Sequence, residues 1–404
     1  MIRQRKKAIL FIHFGENWIR GSERCLLDLM QHLPAHFQPI LWCNQEKMQQ
    51  EAKALGIKTY RSNLSSLHLI QNVLMGCDIV RQHRIRLVHA NNAAPVWLST
   101  LLARNFHLPM MVHLHSLYPL YQRWMFGLPL VSMAVGVSDA VTTQLLDDGF
   151  SPNHVTKISN GIDTQLLEFQ RSTPLKKSLG LKQSDYLMVT VGSLIHRKGV
   201  DNLLHVLYLF AQEGRPIHLA ILGEGPDKKK LMNLSKKLGI SKRVHFCGEQ
   251  TQVVAQMKNS ADLFVSATRE DVFGLVFTEA GVAKLPVVAP DVGGISEVVN
   301  HEHNGLLYKE GDIKQLYQSI KRCYLNPEFS RSLAHAGYRR AHQYFDIHRN
   351  ASKMCAVYSQ LLAPQYRQTA FNFVPKFHQV TTAFRRATQV LLRLTFPQSQ
   401  PSNK

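Results

Sequence analysis

The chain has no apolar run approaching the roughly twenty residues that a membrane-spanning helix needs. Its longest nearly uncharged apolar stretch is Phe126–Val137. The apolar run Ala8–Ile12, behind the basic start Met1–Lys7, is too short for the core of a signal peptide and closes on His13, so it reads as a first β-strand. The expectation is a cytoplasmic protein, free or peripheral on the inner face of the cytoplasmic membrane. Cysteine is sparse: six residues with no C-x-x-C pair, which signals neither a zinc site nor a redox dithiol and fits free thiols in a reducing compartment. Acid is scarce too, with 28 Asp and Glu against 48 Lys and Arg, a formal net charge of +20. Such a surplus points to an anionic partner. No D-x-D triplet is present, so the pair of acids that clamps a divalent cation on a nucleotide is missing and no metal site is expected. A Walker loop and a complete G-x-G-x-x-G are absent as well. No aromatic-interleaved basic motif occurs, and nucleic acid is not an expected partner.

What is present is alternation. Ala8–Phe14, Pro39–Cys43, Leu87–Ala90, Met110–Leu114 and Met133–Val137 read as strands, and Ser22–Leu33 as a helix with an apolar face. Ser159–Gly161 and the aperiodic stretch Thr164–Pro174 read as an interdomain linker. A second series follows, with strands Tyr186–Val191, His218–Leu222, Val244–Cys247, Leu263–Ser266 and Pro286–Val288. The helices between them are Val200–Gln212, Asp227–Leu238, Val253–Ser260 and Phe273–Lys284. The pattern predicts an α/β protein of two Rossmann-like, doubly wound domains facing across a cleft, followed by helices Ile313–Leu325, Pro327–Ala341 and Ile347–Leu362. The boundaries read as 1–163, 164–341, a helix at 342–363 packing back on the first domain, and a basic tail at 364–404 that holds no acid. Within that tail, Phe377–Thr395 can form an amphipathic helix suited to an anionic membrane surface.

Four segments can carry chemistry. In Thr268–Ala280, Asp271 stands at a loop-to-helix junction and Glu279 two turns on; carboxylates there can accept from vicinal sugar hydroxyls, or can simply be a cap and a surface acid. In Val191–Gly199, Arg197 and Lys198 precede a helix start, a good diphosphate site or a solvated basic turn. Gly223–Pro226 fits a turn that needs small residues. Asp291–Glu297 carries Gly293 and Gly294, which permit close backbone approach to a ligand or make a tight turn. In the first half, Gly21 opens the backbone beside Ser22, a possible helix cap. His113 and His115 share a strand face, without a third ligand for a metal.

Taken in order, R-G-S-E-R at residues 20–24, His115, V-S-D at 137–139, N-G-I-D at 160–163, V-G-S-L…R-K-G, L-G-E-G-P, F-C-G, D-V-F-G-L-V-F-T-E-A and V-G-G-I-S-E resemble the family 4 glycosyltransferases of GT-B fold. The resemblance spans residues 8–310. It implies that Glu279 holds the nucleotide ribose and that Asp271, or the adjacent Glu270, contacts the transferred sugar. Lys198 matches the diphosphate lysine. The usual arginine five residues earlier is Ser193 here, and Arg197 stands in for its charge. Gly21 and Gly192 imply close backbone approach, Phe273, Gly274 and Leu275 belong to the donor segment, and Gly293 and Gly294 face the donor. His115 matches a histidine beside the reacting sugar.

The implied activity is transfer, with retention, of a sugar from a nucleotide-diphosphate sugar (a UDP- or GDP-sugar) to a glycan or lipid-linked acceptor in surface polysaccharide or lipopolysaccharide synthesis. No other cofactor is implied. Two alternatives remain at this point: a GT-B sugar-nucleotide epimerase, and a non-enzymatic basic membrane-binding protein on a degenerate transferase scaffold.

Overall fold

In a parallel sheet with helices on both faces, strands have no solvent side and read as unbroken apolar runs. Ile9, Leu10, Phe11 and Ile12 are all fully buried, as are Leu87, Val88 and Ala90. The computed structural model describes residues 6–118, 131–258 and 260–364. It divides into two units, Ser159–Asn350 and the chain up to Ile158 joined by the segment from Ala351.

The first unit holds β1 (Lys7–His13), β2 (Phe37–Cys43), β3 (Lys58–Arg61), β4 (Leu87–Ala90), β5 (Met110–Leu114), β6 (Met133–Gly136) and β7 (Val155–Lys157). They form one sheet in the order β3-β2-β1-β4-β5-β6-β7, every neighbour parallel. The second unit holds β8 (Tyr186–Val191), β9 (Ile217–Leu222), β10 (Val244–Gly248), β11 (Leu263–Val265), β12 (Val287–Pro290) and β13 (Leu306–Tyr308). Its parallel order is β10-β9-β8-β11-β12-β13. Each sheet reverses direction once, between β1 and β4 and between β8 and β11. The doubly wound reading therefore holds for both halves.

The differences from the sequence reading have physical causes. Strands β3, β7 and β13 have no counterpart there: all three are edge strands of three or four residues, too short for a periodic run. Thr164–Phe169 is a short helix rather than linker, capped by the Asp163 carboxylate on the Leu166 N–H at 2.8 Å and tied by Thr164 Oγ1 to Asp346 at 2.6 Å. Six residues cannot display a helical period. The tail segment Phe377–Thr395 lies outside the described residues. Among the described residues no helix is long and apolar enough to cross a membrane.

The last helix, Ile347–Leu362, supplies Ala351, Met354, Val357, Tyr358 and Leu361 to the core of the first unit, beside Phe11, Leu27 and Phe37. Their spacing of three and four residues puts them on one helix face. Tyr358 is fully buried, and its hydroxyl pairs with His89 Nδ1 at 2.7 Å. Burial pushes His89 down to about 3, and pushes the neighbouring His113 well below the usual imidazole range.

All four tryptophans, Trp18, Trp42, Trp97 and Trp124, fall in the first unit's sequence, so their fluorescence reports its unfolding alone. His89 and His113 are neutral when folded and take up protons below about pH 6.5 once unfolded. Each then lowers the unit's stability by about 1.4 kcal/mol per pH unit as the pH falls, until the folded ring itself protonates. The urea midpoint seen by tryptophan should drop steeply between pH 7 and pH 5; an unchanged midpoint contradicts the neutral buried rings. Tyr358→Phe removes the hydroxyl that meets His89. It should cost about 1–3 kcal/mol in the same melt at pH 7.5.

Candidate functional site

Ligands of open parallel sheets collect outside the carboxyl ends of the strands where the strand order reverses. In the second unit that point lies past β8 and β11. The chain leaving β8 makes a tight turn at His196–Lys198 and enters the helix Val200–Gln212 through Gly199, whose φ is 62°. A Cβ on Gly199 would stand 1.8 Å from the Ala267 carbonyl oxygen, so only glycine lets this turn press against the loop after β11. Hydrogen bonds then lock the two loops together. The Arg269 N–H and the Thr268 hydroxyl both donate to the Arg197 carbonyl, at 2.8 and 3.1 Å. The Arg269 guanidinium forks onto Asp201 in the first turn of the helix, at 2.8 and 3.1 Å, and also donates to the His196 carbonyl. This Arg269–Asp201 clamp carried no signal in the sequence, because its partners are 68 residues apart.

The locked loops bring Lys198 Nζ to 2.7 Å from Asp271 Oδ2, with both side chains mostly buried. The other Asp271 oxygen accepts the Phe273 N–H at 3.2 Å. Behind Asp271, the Gly294 N–H donates to its carbonyl at 3.1 Å, and a Cβ on Gly293 would come within 1.9 Å of the same oxygen. Gly223 and Gly225 pack the same way under Gly192 and Leu194. A hollow remains, lined by Thr190, Gly192, Lys198, Ser266, Asp271 and Phe277.

The second unit thus gathers most of the expected residues. Asp271 lines the hollow, whereas the Glu270 side chain is exposed and its carbonyl accepts from Arg197 Nη1 at 2.9 Å. The helix expected from Phe273 begins at Leu275, after Gly274 turns left-handed at φ 77°. Asp271 is therefore a loop residue rather than a residue at the junction. The Phe273 ring is buried edge-on to Phe345, so only its backbone reaches Asp271. Glu279 is half-buried and shares with Leu275 and Val276 the less buried face of that helix.

Gly21 and His115 belong to the first unit. The first helix begins at Gly21, and its cap is not Ser22. Glu23 accepts the Arg20 N–H at 3.2 Å and the Ser22 hydroxyl at 3.1 Å instead. Its other oxygen takes His13 Nε2 at 3.0 Å and the Gln45 amide at 3.4 Å. Burial pushes the Glu23 carboxyl up, but the His13 hydrogen bond and the N–H groups at the helix start outweigh it and bring it to about 2. Asn91, one residue past β4, lies between His13 Nδ1 at 3.2 Å and His115 Nε2 at 3.3 Å. The His113 and His115 ring centroids lie 4.2 Å apart with the planes tilted by 47°, on one side as alternation along the strand predicts. Among the described residues no three His, Cys, Asp or Glu side chains group to hold a metal ion. His13, Glu23 and Asn91 were not assigned any role from sequence; only the R-G-S-E-R string held Glu23 in view.

Comparison with known proteins agrees with this architecture. The model for Glycosyltransferase Family 4 matches residues 19–166, and that for Glycosyl transferases group 1 matches residues 172–340. The chain is 31% identical over 218 residues to the lipopolysaccharide core biosynthesis mannosyltransferase LpsB of Rhizobium meliloti, covering 51% of this chain and 61% of LpsB. It is 24% identical over 237 residues to the N-acetyl-alpha-D-glucosaminyl L-malate synthase of Bacillus anthracis, covering 59% of this chain and 62% of that enzyme. The matches thus span somewhat less than two thirds of these curated relatives. The crystal structure of Anabaena HepE in complex with UDP shares the fold, with a TM-score of 0.76 at 20% identity, over 87% of this chain and 99% of HepE. With one model matching each half and the strand order of both sheets in place, the chain belongs to the family 4 glycosyltransferases of GT-B fold.

Proposed function

We propose that the protein transfers a sugar from a nucleotide-diphosphate sugar to a glycan or lipid-linked acceptor, with retention at the anomeric carbon, in surface polysaccharide or lipopolysaccharide synthesis. The observation that carries this reading is the Lys198–Asp271 pair at the reversal point of the second sheet, one cation and one carboxylate fixed 2.7 Å apart. A nucleotide-diphosphate sugar offers each a partner: phosphate oxygens for Lys198 and sugar hydroxyls for Asp271. The UDP held by HepE and the core mannosyltransferase LpsB support donor and pathway respectively. Retention follows the family resemblance.

In this reading the bond that breaks joins the anomeric carbon to the diphosphate oxygen, and negative charge grows on the departing nucleotide diphosphate. Lys198 meets that charge, with Arg197 beside it. The ammonium group is already placed by the Arg269–Asp201 clamp, so little reorganisation accompanies the reaction. Glu279, on the exposed side of the following helix, takes the ribose hydroxyls. The family resemblance gives His115 a role toward the reacting sugar. A basic protein of net charge +20 also suits an acceptor embedded in an anionic surface.

Lys198→Ala should lose about 2–4 kcal/mol of barrier lowering, a fall in kcat of roughly 30- to 1000-fold, while the fold persists. Asp271→Asn should be strongly impaired and Glu270→Gln close to wild type, because only Asp271 lines the hollow. Initial rates with a panel of UDP- and GDP-sugars decide it, and full activity in Lys198→Ala rejects the assignment. The missing D-x-D triplet and the lysine at the leaving group lead to a second expectation. Turnover should survive excess EDTA, and a loss restored by Mn²⁺ or Mg²⁺ would contradict the role given to Lys198.

A further inference from the structure

Large aliphatic side chains that lie exposed as a contiguous group mark a contact surface. In the first unit, the helix Leu69–His83 follows β3 and buries Asn72, Gly76, Ile79 and Val80. Its other face is open. Leu67, just ahead of the helix, is 91% exposed, Ile70 76% and Leu74 62%. Their spacing of three and four residues puts them on one side, and exposed Arg81 continues that side two turns on. The helix Val96–Asn105 lies alongside and runs the same way. Leu102 fills the space over Gly76, Asn105 meets Cys77 Sγ at 3.8 Å, and the Arg81 guanidinium lies 5.4 Å from the Phe106 ring. That second helix adds exposed Leu101 and Arg104 to the surface. A helix that follows a strand starts at the strand's carboxyl end. Leu67, Ile70 and Leu74 therefore lie toward the edge where ligands of such sheets collect, and Arg81, Arg84 and Arg104 lie toward the other.

Charge in this part of the chain is almost all of one sign. From Ala52 to Ser138 there are eight Lys and Arg and a single acid. That acid, Asp78, shares the exposed face and stands 3.8 Å from Arg81. Protruding aliphatic groups beside arginines fit a partner that is apolar beneath and anionic on top, which describes the headgroup boundary of an anionic bilayer. A second copy of this chain fits poorly, because two-fold pairing sets like-charged faces against each other. A nucleic acid leaves the aliphatic groups with nothing to bury them.

We propose that this face docks the protein on an anionic lipid bilayer, with Leu67, Ile70 and Leu74 entering the interface and Arg81, Arg84 and Arg104 among the headgroups. Its purpose rests on the reading above, in which the acceptor is lipid-linked. The binding itself needs neither donor nor acceptor, so it is measured apart from transfer.

The test is flotation of the full chain with vesicles of phosphatidylcholine alone and of equal parts phosphatidylcholine and phosphatidylglycerol. Wild type should float with the mixed vesicles, at least about tenfold more strongly than with phosphatidylcholine alone, and lose most of that binding at high salt. Leu67→Gln, Ile70→Gln and Leu74→Gln combined should weaken it by roughly 10- to 100-fold. Arg81→Gln, Arg84→Gln and Arg104→Gln combined should weaken it to a similar extent and flatten its salt dependence. All six side chains are exposed, so the thermal melt should stay close to wild type. Ile70→Gln alone should lower binding a few-fold, and replaces the apolar combination if that does not fold. Lys198→Ala should float as wild type does, so that loss of docking and loss of transfer are read separately. No flotation of wild type, or wild-type flotation of either folded combination, overturns the docking face. So does a wild-type dimer that the apolar combination dissociates while flotation is unchanged, which would make a second copy the occupant.

Discussion

The close approach of Gly199 to the Ala267 carbonyl is the constraint on which the second unit's site depends. Two loops leaving non-adjacent stretches of sequence must share a space that no side chain can enter. Once they do, the main chain of one supplies acceptors for the other, and Arg269 closes the joint onto Asp201. Gly293 performs the same service from the next strand, where a side chain would collide with Asp271's carbonyl. Lysine and aspartate meet because two glycine-opened backbones close on the loop that carries Asp271, and not through any strong preference of the two side chains for each other. A partly exposed ion pair is a weak organiser of structure by itself.

The same topology places the polar cluster of the first unit. There, too, the strand order reverses between the first strand and the fourth, and the residues just past those strands turn toward each other. His13 ends β1 and Asn91 follows β4, as Lys198 follows β8 and Asp271 follows β11. What differs is the chemistry installed at the reversal. The second unit keeps a cation and a carboxylate at a hollow. The first buries its carboxylate and extends from it a line of amide and imidazole groups. Tyr358 and Asn91 reach the imidazole rings there from distant parts of the chain, Tyr358 meeting His89 and Asn91 lying between His13 and His115.

Much of this was legible in the sequence, for identifiable reasons. Strands buried on both faces announce themselves as apolar runs, so β4, β5 and β8 read out with their ends correct; the edge strands β3, β7 and β13 do not. Lys198, Asp271 and the glycine pair were visible because loops that approach a ligand are short, glycine-bearing and charged. The choice between Glu270 and Asp271 was not, since neighbouring acids differ only in which way the loop turns, and that is set by Gly293 and Gly294 twenty residues on. Nor was the Arg269–Asp201 clamp, whose members look like ordinary surface charges until the loops meet. The helix start at Leu275 was misplaced by two residues because Phe273 is as apolar as a first-turn residue, and its burial comes from Phe345 rather than from helix periodicity.

The helix that completes the first core comes from the far end of the chain, and this bears on how the protein is made. As the polypeptide leaves the ribosome, the first unit's seven strands emerge first, yet Met354, Tyr358 and Leu361 are absent until some two hundred further residues have been added. Throughout that interval the face around Phe11 and Phe37 has no cover, and His89 has no hydroxyl to meet. The second unit, by contrast, is contiguous from Ser159 to Asn350 and can close its own core before synthesis ends. Maturation therefore runs against the usual N-to-C order of domain folding: the half translated first is the half finished last, and it spends the elongation of the other half as an aggregation-prone intermediate.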